Sequence, residues 1–167
     1  MGGRTTVLGL RKGPLIAAGA TPVLFAVFGT ALVGGSGLNW FAGLAKPWFL
    51  VPLWAFFLVG FVYYILATVV LYRILIHIED PRGRTVSFAL TVAVLLLNEL
   101  WNYGFFGLRS TLAGFLGIAV FLVPLTALIV VLRRHERFSA GLLLPYYLWV
   151  LYDLAWTYAL WRLNGAG

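Results

Sequence analysis

Five long apolar stretches constrain this chain more than anything else in it. A helix that crosses the hydrocarbon core of a bilayer needs roughly 20 mainly apolar residues, and such runs occupy residues 14–33, 53–76, 87–106, 112–132 and 142–163. None alternates apolar and polar residues as a barrel strand does. A helix satisfies its own backbone hydrogen bonds in lipid, so the expected fold is all-α, an integral membrane bundle of five transmembrane helices. The breaks expected between spans are Gly34-Gly35-Ser36-Gly37, the polar run 79–84, Gly107-Leu108-Arg109-Ser110 and the basic run 133–137. Of the 167 residues 62% are hydrophobic and 10% charged, against about 25% charged in a soluble domain. That excludes a water-soluble monomer and a disordered chain. The lack of Cys removes disulfides, thiolate metal sites and Cys nucleophiles. Residues 1–167 read as a single domain, without linker or internal repeat.

Charge predicts an orientation. Nine of the twelve basic residues (Arg4, Arg11, Lys12, Arg73, Arg82, Arg84, Arg133, Arg134, Arg137) fall on the N-terminal side, and Lys46, Arg109 and Arg162 on the other. By the positive-inside rule the N-terminus is cytoplasmic. The net charge of +7 is spread over loops and forms no binding stripe, so no nucleic-acid partner is expected. The first run is too long for the apolar core of a signal peptide and is kept as a helix. Met1-Gly2 with Thr6 fits a short myristoylation pattern.

Two acids, Glu99 and Asp153, lie inside spans, where ionisable groups normally face the bundle interior and mark function. No Lys or Arg lies at similar depth to pair with either, so desolvation favours the protonated form, and the structural alternative is a neutral carboxyl hydrogen-bonded across helices, much like an Asn. Asn98, Trp101, Asn102 and Phe105 share one helical face, as do Tyr146, Trp149, Asp153 and Trp156. Phe57, Phe61 and Tyr64 form a third stripe, with Tyr63 alongside. Amides, an acid and aromatic rings from three helices would make a site for a flat hydrophobic small molecule. The alternative reading is an interfacial belt for Trp40, Trp48 and Trp161, and helix–helix hydrogen bonds for Asn98 and Asn102. There is no catalytic or metal-binding motif: His135 and Glu136 are adjacent in a basic loop, and His77 stands at a helix end. No cofactor is required by this reading.

Three segments resemble one family. Residues 40–52 (WFAGLAKPWFLVP) are similar to the WY..L.KP.W.PP segment of the TspO/MBR family, the tryptophan-rich sensory and translocator proteins. Residues 98–107 (NELWNYGFFG) resemble its N..W...FFG helix, and residues 145–149 (PYYLW) its PY..W helix, closed by Arg162-Leu163-Asn164. The match is strongest over 40–164. The resemblance implies a five-helix bundle, commonly a homodimer, with a pocket for porphyrins, haem among them, and in some members for sterols or benzodiazepine-type drugs. Its pocket positions carry over to Trp40, Trp54, Phe56, Tyr64, Asn98, Trp101 and Trp149. The readings from the residues add Asn102, Tyr146 and Asp153. Leu154, Tyr158 and Arg162 satisfy a sterol-contact pattern. The chain departs from the family at Phe49, Val51, Val94 and Thr157, and at Gly60, where the family has Trp. At Asp153 it carries an acid in place of a small residue, which implies an altered ligand preference. The expected role is a membrane receptor or regulatory protein for planar hydrophobic ligands. A proton-coupled transporter using Glu99 or Asp153 is the alternative, and porphyrin degradation, weakened by Gly60, the third. Ser87 and Thr91, at small-xxx-small spacing, do not decide a dimer face.

Overall fold

The computed structural model describes residues 12–165, with the backbone alone at 12, 28 and 30–35. The myristoylation pattern and the basic residues Arg4 and Arg11 lie outside the described residues. Five helices follow in order: α1 (Lys12–Ala42), α2 (Leu53–His77), α3 (Pro81–Asn102), α4 (Thr111–His135) and α5 (Arg137–Asn164). A π-helical turn, Tyr103–Gly107, extends α3. Helices α2, α4 and α5, and α3 with its π turn, are each long and apolar enough to cross a membrane, and α1 carries a shorter apolar stretch, Gly13–Val27. Leu24, Val62, Val123 and Leu148, each more than 40% exposed, form part of an outward apolar surface that water would not tolerate and acyl chains cover. This is a five-helix integral membrane bundle.

Two helix boundaries differ from those expected. The Gly34-Gly35-Ser36-Gly37 run does not break α1, which continues to Ala42. Small residues on this helix serve close packing instead. A Cβ at Gly29 would stand 1.7 Å from Glu99 Oε2, and one at Gly37 would stand 2.8 Å from the Phe106 carbonyl oxygen. Helix α3 starts at Pro81, six residues before the apolar run, because Asp80 accepts a hydrogen bond from the Gly83 amide at 2.7 Å. An Asp cap followed by Pro in the first turn is a start signal that apolar counting misses. Ser87 and Thr91 turn into the bundle, where Thr91 Oγ1 donates to the Ser87 carbonyl at 2.8 Å. They therefore present no outer surface for a second copy.

The main core joins α2 (Val70, Leu71, Ile74), α3 (Leu95), α4 (Leu125, Leu128, Leu132) and α5 (Leu143, Val150). A smaller cluster of Phe41, Phe105, Trp156 and Leu160 fills the other end. The first end is latched by Arg73, whose Nε and Nη2 donate to Glu136 at 3.1 and 2.8 Å. Glu136 also caps α5, accepting from the Ser139 amide at 2.7 Å. The Arg73 hydrogen bonds hold the Glu136 carboxyl at about 2, well below its ordinary 4.5. A carboxylate with a depressed pKa stabilises the fold fully above its unfolded value, and that contribution disappears as pH falls through the folded one. The detergent-solubilised protein is therefore expected to lose thermal stability between about pH 4.5 and about pH 2. Glu136→Gln should start lower, by about 1–2 kcal/mol for a lost cap and ion pair, and show a flatter profile over that window. Parallel profiles for the two proteins would refute the latch.

Candidate ligand-binding site

Between α1, α2, α3 and α5 lies a cavity of about 590 Å³, within the roughly 300–1,000 Å³ of small-molecule sites. Helix α2 supplies Phe56, Phe57, Gly60, Phe61, Tyr63 and Tyr64; α3 supplies Asn98, Glu99, Trp101 and Asn102; α5 supplies Tyr146, Trp149, Asp153 and Trp156. Helix α1 closes the space with Ala26, Gly29, Leu38 and Phe41. Phe57 and Phe61 of α2 line the cavity and are 59% and 67% exposed.

Its polar centre is Glu99, which is fully buried. Tyr64 Oη donates to Glu99 Oε1 at 2.5 Å and Asn98 Nδ2 donates to the same oxygen at 3.1 Å. Asn102 Nδ2 donates to Oε2 at 3.3 Å. Three neutral donors thus replace water around a carboxyl held at bilayer depth, which is what its burial requires. The second acid, Asp153, accepts from Trp156 Nε1 at 2.7 Å. Tyr63 and Tyr146 stack at 4.8 Å between ring centroids, and the buried Tyr63 hydroxyl has no hydrogen-bond partner among the described residues.

The rings are held in place by their neighbours. Trp101 Nε1 donates to the Gly114 carbonyl of α4 at 2.9 Å, and its ring stacks on Phe105 at 5.5 Å. Phe56 meets Trp149 edge-on at 5.6 Å and Trp156 at 5.3 Å. The loop 43–52 is stapled over the same end of the bundle. Asn164 accepts from the Ala45 amide and donates to the Ala45 carbonyl, at 3.0 and 2.9 Å. Tyr152 Oη accepts from the Val51 amide and donates to the Phe49 carbonyl, at 2.9 and 3.2 Å. Lys46 Nζ donates to the Ala42 and Leu44 carbonyls at 2.8 and 3.2 Å, covering acceptors that the end of α1 leaves open. The Lys-Pro segment and the closing Asn164 are thus structural fastenings.

The structure brings Phe56, Tyr64, Asn98, Trp101, Asn102, Tyr146, Trp149 and Asp153 to one cavity. Trp54 is not among them. Its neighbour Leu53 lines the cavity instead, and Trp54 is 65% exposed. Trp40 also stays out, its ring packed edge-on against Phe105 at 5.4 Å. Phe105 leaves the stripe expected for it because the π turn inserts an extra residue, with the Leu108 amide bonded to the Tyr103 carbonyl at 2.8 Å. That shift buries Phe105 and puts Phe106 on the cavity wall, the placement near a site that π bulges often show. Tyr158 packs against Phe115 of α4 at 5.3 Å on the outer side of α5, and neither it, Leu154 nor Arg162 lines the cavity. Sequence reasoning missed Gly29 and Phe41, whose only signal is that small or aromatic residues recur on one face of α1. At Gly60 an added Cβ would meet nothing within 4 Å, so the cavity wall is open at this position.

Residues 18–162 match the profile of the TspO/MBR family. The tryptophan-rich protein TspO of Archaeoglobus fulgidus is 34% identical over 138 residues, covering 81% of this chain and 87% of that protein. The human translocator protein is 29% identical, over 86% of this chain and 85% of its own length. Protein CrtK of Rhodobacter capsulatus is 27% identical, over 84% and 92%.

Proposed function

This chain belongs to the TspO/MBR family, and from that premise we propose that its cavity is a receptor site for a planar hydrophobic ligand, a tetrapyrrole or a sterol. The observation that carries the reading is the convergence of Phe56, Trp101, Trp149 and Trp156 with the Glu99 cluster around one open space. Rings stack on rings, and a few polar atoms orient what is bound. The receptor faces the cytoplasm with its N-terminus, and its functional unit is a homodimer.

Protoporphyrin titrated into the purified protein should quench Trp fluorescence saturably. Trp149→Phe and Asn98→Ala should each weaken binding about three- to tenfold, the worth of one stacking or hydrogen-bond contact. Trp54→Phe, outside the cavity, should leave the affinity where it was. Saturable quenching with unchanged affinity in both cavity variants would move the ligand elsewhere.

One observation favours a second reading. Both intramembrane acids line the same cavity, as a proton-coupled carrier would need. Proton-dependent uptake into liposomes that disappears in Asp153→Asn would select it over a receptor.

A further inference from the structure

Among the described residues lining the cavity, two are acids and none is Lys, Arg or His. Glu99 is surrounded by a phenol and two amides, and Asp153 accepts from an indole. Neither meets a positive charge, since the ion pair among the described residues is Arg73–Glu136, at one end of the bundle. The wall is therefore rich in acceptors, and its own donors at Glu99 and Asp153 are already engaged.

An occupant that is only flat and apolar leaves this polar surface unanswered. One that carries a carboxylate into the cavity sets a third acid against two others in a medium of low dielectric, where like charges discriminate strongly. An occupant with a basic nitrogen supplies the missing countercharge and N–H donors together. We propose that this cavity selects a flat apolar molecule carrying a basic nitrogen, held by the carboxyl of Asp153, with the buried Glu99 adding its charge from behind the wall. This inference rests on the receptor reading above and narrows its ligand class. A macrocycle bearing acids would have to keep them at the mouth of the cavity.

Three probes sharing one ring system separate the two claims: pyrenemethylamine, pyrenemethanol and pyrenecarboxylic acid, titrated against the full chain in a nonionic detergent with Trp-to-pyrene energy transfer as readout. The amine is expected to bind at least about tenfold tighter than the alcohol, as befits a charged hydrogen bond, and the acid weakest. Asp153→Asn, nearly isosteric, should shrink the amine-to-alcohol ratio. Glu99→Gln should do the same. Equal binding of amine and alcohol to the unaltered chain overturns the charge selectivity and leaves the receptor reading standing. A ratio that survives both Asp153→Asn and Glu99→Gln assigns the selectivity to other groups and overturns the inference as well. No saturable binding of any of the three by a chain that still binds protoporphyrin overturns the inference alone, and loss of protoporphyrin binding as well removes the receptor reading with it.

Discussion

Phe105→Ala should unfold the cavity end of the bundle at markedly lower temperature and loosen the indoles that line the site. Phe105 is fully buried and stacks on Trp101, with Trp40, Phe41, Phe106 and Trp156 edge-on around it. In a bilayer the transfer part of such a loss shrinks, because lipid tails are as apolar as the core. The void remains. At about 24 cal/mol per Å³, a hole on the order of 100 Å³ costs about 2–3 kcal/mol, and the edge-on pairs add about 0.5–1.5 kcal/mol each where they are not re-formed. The site cannot collapse easily, since α4 already approaches so closely that a Cβ at Gly114 would stand 2.3 Å from Phe105. Thermal unfolding in detergent gives the loss, and red-shifted Trp emission reports the freed Trp101 and Trp156. A cost below about 1 kcal/mol would mean that the ring cluster repacks and that the π turn does not need Phe105 as its anchor.

That prediction rests on an element no local pattern announces. Five helices were legible because length and apolarity are properties of single segments, and lipid permits few other solutions. The faces of α3 and α5 were legible for a similar reason: Asn98, Trp101 and Asn102, like Tyr146, Trp149 and Asp153, recur at helical spacing, and all six line the cavity. The π turn depends on how Tyr103–Gly107 meets α1 and α4, so the periodicity that placed Asn98 correctly misplaced Phe105. Trp54 shows the limit of resemblance. A matched position reports a shared residue type, whereas the side of α2 it occupies is decided by packing. The bonds that make Glu99 tolerable come partly from Tyr64, 35 positions away, and the space for its carboxylate comes from Gly29 on another helix. Neither partner is visible from the α3 stripe. From the sequence, an acid flanked by amides reads equally as a functional group and as a helix–helix bond, and its neighbours come only with the fold.

The same pair gives the sharpest test of that arrangement. Gly→Ala in a helix interior ordinarily stabilises by about 0.5–1 kcal/mol, yet Gly29→Ala is expected to destabilise this protein by about 1–3 kcal/mol, the range for overpacking a filled interior. The new methyl group would stand 1.7 Å from Glu99 Oε2 and 2.6 Å from its Cδ. Either α1 moves away from α3 or the carboxylate swings off the Asn102 and Tyr64 donors that keep it satisfied, and a buried acid without donors is costly. Glu99→Ala alone also destabilises, because Tyr64, Asn98 and Asn102 lose a shared acceptor. The combination separates these causes. With the Glu99 side chain gone, the Gly29 methyl meets open space, so Gly29→Ala in the Glu99→Ala background should recover its ordinary helix gain. A double-mutant cycle on thermal or denaturant unfolding in detergent should therefore show a coupling of about 2 kcal/mol or more between the two positions, within the range of contacting residues. Additive costs would mean that α1 does not press Gly29 against the acid, and that the cavity's α1 wall stands farther from α3 than described.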